Sequence, residues 1–287
     1  MIRQIDKIFQ PQAGIDGAGV HLYHVLSRHS MHVTDPLLLL DAFDSREPEK
    51  YVAGFPMHPH RGIETISYVY KGTMVHRDSL GNEDKVESGG VQWMTAGSGI
   101  FHEEKLPAVD HLFGVQLWLN LAKKDKFTQP AYQAIRSEDI EEIPFDGGYL
   151  RLLAGSYKDS KGYQSPHLPV DYYDVHLEGG KSVSLELDGD RSFTLFALIG
   201  EGEIEGKALP HFHAASTTEG DTLTLTNPTT EEAAILVFSS TRLDEPIAWW
   251  PGPIVMNTEE ELREAYDQVR DGTLVQEKIE MHETSSN

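Results

Sequence analysis

Short runs rich in β-branched and aromatic residues, each broken by Gly, Pro, Asn or Asp, recur along most of the chain. TISYVYKG, SVSLELDG, SFTLFALIGEG, DTLTLTN and AAILVFSS are examples. Helical periodicity is scarce over the same span. Strand-length runs at this spacing predict an all-β sandwich or barrel. Residues 78–84, DSLGNED, predict a hairpin turn, because Gly81 and Asn82 accept the positive φ that tight turns need. The runs fall into two blocks, the second from about Tyr149 to Thr241. VYKGTMVH in the first and IGEGEIEG in the second share a strand–glycine–strand rhythm, a sign of duplication. Residues 122–148 are polar, with a charge cluster, and read as a connection. The expected units are therefore 1–135 and 136–287.

One segment departs from this pattern. Thr258 followed by three glutamates is a capping box: its hydroxyl accepts from the amide of Glu261, whose side chain reaches back. Leu262, Ala265, Tyr266 and Val269 give one apolar face, and Gly272 suits a left-handed stop. A short helix over 259–270 follows, with a packing role.

Composition narrows the function classes. A chain of 287 residues fits roughly two domains, and 39% hydrophobic content is enough for real cores. The 46 acidic residues against 24 basic ones give a formal charge of −22, which disfavours direct contact with nucleic acid. No cysteine is present, so disulfides, thiolate metal sites and cysteine nucleophiles are excluded. The first residues, MIRQIDKIFQPQ, hold no apolar core of signal-peptide length. The nearby run Pro36–Leu40 is far too short to span a bilayer. A cytoplasmic protein without membrane contact is expected.

Any metal must then be held by His and carboxylates. In a strand, residues i and i+2 point the same way. His58 and His60 in FPMHPHRG form such a pair, and His102 and Glu104 in GIFHEEK form another. Glu103 falls on the opposite face, and Gly97-Ser98-Gly99 can bend the second strand toward the first. Three imidazoles and one carboxylate suit a divalent first-row metal. His211 and His213 are also i and i+2, but no partner pair follows them. His21, His24, His29 and His32 lack consistent strand parity and read as surface or core residues. Phe55, Met57, Trp93, Met94, Phe101 and Trp118 either line a pocket or simply pack. Glu138, Asp139, Glu141 and Glu142 read as a solvated face, and Trp249-Trp250 as packing.

These stretches carry a family resemblance. PLLLLDAF (36–43), FPMHPHRGIETISYVYKG (55–72), GGVQWMTAGSGIFHEE (89–104), GVQLWLNL (114–121) and GPIVMNTEEE (252–261) resemble the pirins, members of the cupin superfamily. The resemblance implies two tandem jelly-roll β-barrels of the cupin type: an N-terminal metal-binding barrel in 1–135, and in 136–287 a second barrel without metal that includes the closing segment and the helix. It implies one divalent ion per chain, Fe(II) or another first-row metal, on His58, His60, His102 and Glu104. Generic cupins take their carboxylate from the first motif, here Glu64, which becomes a supporting neighbour instead; Leu106 stands where they place an Asn.

The resemblance carries two functional expectations. One is a quercetin 2,3-dioxygenase-like enzyme that opens a planar flavonol with release of carbon monoxide, Glu104 accepting the proton of the 3-hydroxyl. The other is a metal-dependent regulatory protein acting through a protein partner, with the ion as a redox switch. The absence of a nuclear-type basic run favours the enzyme.

Overall fold

The computed structural model describes residues 1–275; residues 276–287, the end of the second expected unit, lie outside the described residues. Two similar β units follow one another. The first has a seven-stranded sheet in the order Ala131–Ile135, Gly90–Thr95, Ile63–Lys71, Leu112–Asn120, Leu37–Ser45, Val20–Leu26, Gln12–Asp16. A four-stranded sheet faces it: Phe55–His60, Ile100–Lys105, Thr73–Asp78, Glu83–Glu87. The second unit repeats this scheme. Its seven strands run Ile5–Phe9, Ala214–Thr217, Ser192–Ile199, Ala233–Ser240, Val170–Leu177, Gly148–Ala154, Glu142–Phe145. Its four are Ser182–Glu186, Thr222–Thr226, Gly202–Ile204, Lys207–Leu209. The expected barrels are not closed: the two sheets of each unit stay separate, leaving edge strands on both. The glycine-centred stretches noted in the sequence sit at the corresponding turn of each unit, at Gly72 and Gly200.

Strand alternation explains how the units join. Ile66, Tyr68, Trp93, Val115 and Leu117 point out of the first seven-stranded sheet. They pack against Leu153, Tyr172, Phe196, Leu236 and Phe238 from the second. These residues are buried almost completely, so the two large sheets share one apolar core. Across it the Tyr68 hydroxyl donates to Asp174 at 2.7 Å. Residues 122–148, expected to be only a connection, contribute an edge strand to each large sheet; half-exposed strands have few apolar positions and so read as loop.

Each end of the described chain is built into the opposite unit. Ile5–Phe9 pairs with Ala214–Thr217 of the second. The segment around Pro253–Met256 lies on the first, with the Val255 amide donating to the Arg61 carbonyl at 3.1 Å. Arg61 and Lys126 clamp this return. The Arg61 guanidinium donates to the carbonyls of Ser98 and Leu274, and the Lys126 ammonium to those of Gly62 and Val255 and to Asn120 Oδ1. Burial pushes Lys126 down to about 7, while three acceptors match the three donors of its charged form. Gly62 has φ +79°, and a Cβ there would sit 2.1 Å from the Val255 carbonyl oxygen. Only glycine permits that approach.

The helix Glu259–Arg270 begins with the expected capping box between Thr258 and Glu261. It buries Leu262 and Ala265 against the returning segment. No helix of the described residues is long and apolar enough to cross a membrane.

Candidate metal centre

Phe55–His60 is the edge strand of the smaller sheet, which is why it tolerates Pro56 and Pro59. It pairs antiparallel with Ile100–Lys105, His58 opposite His102 and His60 opposite Ile100. The register shifts between His102 and Glu104. This pairing gathers His58, His60 and His102, one nitrogen of each lying within 4.8 Å of the others.

The hydrogen bonds fix which nitrogens are free. His58 Nδ1 faces the Pro56 carbonyl at 2.8 Å, and His60 Nδ1 faces that of Pro253 at 2.9 Å. A carbonyl only accepts, so both Nδ1 atoms carry the protons. Their Nε2 atoms then present lone pairs to each other at 3.0 Å. Two lone pairs so close repel unless a cation lies near both. His102 is fully buried, and neither of its nitrogens has a hydrogen-bond partner. Burial, reinforced by the neighbouring imidazole of His58, pushes His60 down to about 3. Burial pushes His102 well below the ordinary imidazole range, with His60, His58 and His76 adding to the effect. Neutral, convergent imidazoles with unsatisfied lone pairs are the donor set a divalent metal requires.

Glu104 lies beside this group, not within it. Its carboxylate is buried and accepts from the Gln92 amide at 2.8 Å and from the Gln116 amide at 3.4 Å. Burial pushes it up, while His58, His76 and the two amides pull it back. Glu103 points the other way and pairs with Arg77 at 3.4 Å and Lys105 at 3.6 Å. A cavity of about 480 Å³ opens over the site. Phe55, Trp118, Trp249, His58, His60 and Glu104 all line it. The Trp118 ring meets His60 edge to face at 5.1 Å and leans on Trp249 at 5.7 Å.

Comparison with known proteins places this arrangement. The profile described as Pirin matches residues 19–119, and that described as Pirin C-terminal cupin domain matches residues 172–275. Human "Pirin" is 33% identical over 256 residues, covering 87% of this chain and 86% of its own. The chain belongs to the pirin family. A pirin relative from Pseudomonas aeruginosa, named "Putative quercetin 2,3-dioxygenase PA3240", is 38% identical over 282 residues, covering 95% of this chain and 98% of its own. The crystal structure of quercetin 2,3-dioxygenase from Acinetobacter baumannii matches with a TM-score of 0.88 at 32% identity, over 96% of this chain and 99% of that one. The family and its cupin units are thus those the sequence stretches suggested. Pirins and their cupin relatives bind a metal, and the histidine group of this pirin has the donor chemistry for one.

The structure corrects two readings of this pirin's sequence. Glu64 does not support the histidines. It shares the outward face with Ile66 and Tyr68, accepts from the Thr95 hydroxyl at 2.6 Å, and is sealed between the two units. Burial there pushes it up to about 7. His24, read as an ordinary surface or core residue, lines the cavity and pairs with Asp41 at 2.8 Å. His76 was not singled out at all. It is fully buried opposite Glu104, bonded to Asp78 at 2.8 Å and stacked on Tyr132. The alternation in MVHRD carried the signal for His76, since His76 and Asp78 are again i and i+2. Of the aromatic candidates, Phe55 and Trp118 reach the cavity, whereas Trp93 and Met94 are buried in the packing clusters.

Proposed function

We propose that this chain is a metal-dependent dioxygenase acting on flavonols such as quercetin, opening the ring by 2,3-cleavage with one O₂ consumed and one CO released. The observation that carries this reading is the placing of three convergent imidazoles beside an aromatic-lined cavity, with His58 and His60 in its wall. The names of the Pseudomonas and Acinetobacter relatives support it. His58, His60 and His102, with Glu104, are the residues proposed to hold one divalent ion per chain, with Fe(II) as the proposed metal; imidazole nitrogen suits other first-row ions as well. Bound there, the ion supplies Lewis acidity and orients O₂ against the substrate.

The chain's own residues do the rest. Phe55, Trp118 and Trp249 present ring faces and edges to a planar substrate. Glu104 accepts the proton of the 3-hydroxyl. Its buried position makes it a stronger base than a solvated carboxylate, and the Gln92 and Gln116 amides hold its orientation. The deciding experiment is anaerobic purification, metal analysis, and then oxygen uptake with CO detection over a flavonol panel. Fully Fe(II)-loaded protein that consumes neither quercetin nor oxygen would overturn the reading.

A further inference from the structure

One line of polar side chains crosses the face of the first seven-stranded sheet that looks at the histidines. His24 pairs in register with Asp41, Asp41 with Gln116, Gln116 with Ser67 and Ser67 with Gln92. These five side chains form a polar row across five neighbouring strands, because register partners on adjacent strands point to the same side. The middle and one end of the row have a partner: Gln92 and Gln116 both donate to Glu104. The other end, His24 on Asp41, has none in the facing sheet. It opens into the cavity instead, with the His24 side chain 40% exposed and Asp41 8% exposed beneath it.

The chemistry of this end is specific. Asp41 fixes the ring through Nδ1 and leaves Nε2 free for a ligand. The hydrogen bond to Asp41 also pushes His24 up from the ordinary imidazole value; Nε2 accepts from a hydroxyl when the ring is neutral and donates to one when it is charged. The ring lies over Gly14, where an added Cβ would come within 2.6 Å of Nε2. Gly14 is therefore the space that lets the imidazole take this position. Two strand spacings, roughly 9–10 Å, separate the strand of His24 from that of Gln116. That is the span of a molecule of two or three fused or linked rings. Asp16 lines the same end of the cavity, so with Asp41 the surroundings are acidic.

We infer that His24, oriented by Asp41 and accommodated by Gly14, is a second anchor of the substrate pocket, hydrogen-bonding through Nε2 to a neutral phenolic hydroxyl at the end of the substrate remote from the histidine group. The inference rests on the flavonol reading and deepens it. The pocket selects planar phenols that carry a hydroxyl at the far end as well as the 3-hydroxyl, and the acidic surroundings disfavour a carboxylate in its place. His24 is a positioning residue, expected to act on affinity and KM more than on kcat.

The test compares quercetin with 3-hydroxyflavone, which keeps the 3-hydroxyl and lacks the others. Both are titrated into metal-loaded wild type, His24→Ala and Gly14→Ala, following quenching of tryptophan fluorescence. The ratio of the two affinities should fall about tenfold in His24→Ala, the worth of one hydrogen bond. It should fall in the same direction in Gly14→Ala, where the ring is displaced with its chemistry intact. If both ligands bind and the ratio is the same in all three proteins, the anchor is wrong and the flavonol reading stands. If wild type binds neither ligand, the flavonol reading fails and the anchor fails with it.

Discussion

The two units share a scheme of seven strands facing four, yet the inner faces of their large sheets differ. In the first, the row His24, Asp41, Gln116, Ser67, Gln92 is polar. In the second, Ala215, Leu195, Val237, Tyr173 and Leu152 are likewise in register, and all belong to a closed apolar cluster. Leu185, Leu223 and Leu225 of the facing sheet complete that cluster. One interior is thus filled with side chains, while the other is kept open and lined with donors and acceptors. Buried polar groups cost stability where they lack partners. In the first unit Gln92 and Gln116 donate to Glu104 and His24 pairs with Asp41, while Ser67 Oγ has no partner. The second interior is closed by apolar packing, whereas the first leaves His24, Asp41 and Gln116 facing a cavity.

The largest test of this contrast is metal content. His102→Ala should remove most of the bound metal, whereas the double variant His211→Ala/His213→Ala should keep the wild-type stoichiometry. In the structure His213 Nδ1 turns back to the His211 carbonyl. Elemental analysis of the two variants decides it; metal lost from the double variant would erase the distinction between the units.

Next in size is turnover. In metal-loaded protein Glu104→Gln should lower the rate by about 10²–10⁴-fold, the usual worth of a positioned base. Glu103→Gln, on the outer face, should stay near wild type. CO release and quercetin loss should fall together in the first variant. Equal losses in both would mean that the strand's alternation does not separate their roles.

Stability sharpens the comparison from the other side. Leu195→Asn puts an unpartnered amide in the apolar row and should cost about 3–4 kcal/mol in denaturant unfolding. Gln116→Leu in the polar row should shift stability by only about 1 kcal/mol, since Gln92 still donates to Glu104. Similar costs at both positions would show that the first interior is packed as tightly as the second.

The smallest effect lies where the units meet. The Glu64 carboxyl is raised to about 7 by burial, against an ordinary value of 4.5. Between these values the folded chain keeps a proton that the unfolded chain releases, so stability falls as pH rises through that window. Glu64→Gln should therefore be near neutral at pH 5 and stabilising at pH 8, by up to about 3 kcal/mol. Unfolding midpoints at the two pH values measure it, and an equal shift at both would mean that Glu64 is charged in the folded protein.

Strand alternation was enough to align His58 with His60 and His102 with Glu104 and to set Glu103 apart, because those relations lie within single strands. The capping box was legible for the same reason: its partners are three residues apart. What the sequence did not disclose depends on which strand lies beside which. His24 acquires meaning only from the strand carrying Asp41, and Asp41 from the strand carrying Gln116, more than seventy residues further along. Glu64 stands four residues after His60, but Arg61 and Gly62 turn the chain into the other sheet and direct its side chain away from the histidines. The placement of Ile5–Phe9 in the second unit has no local signature, since its alternation suits any sheet edge.

The exchange of chain ends has a consequence in time. A ribosome makes Ile5–Phe9 more than two hundred residues before Ala214–Thr217, the strand that will receive it. It makes His60 nearly as long before Pro253, the carbonyl that fixes its ring. The nascent chain thus carries the His60 ring without its carbonyl partner through most of its synthesis. The ring is fixed only when the return segment has docked. Its orientation is therefore a late event in the life of each molecule, reached together with the completed fold.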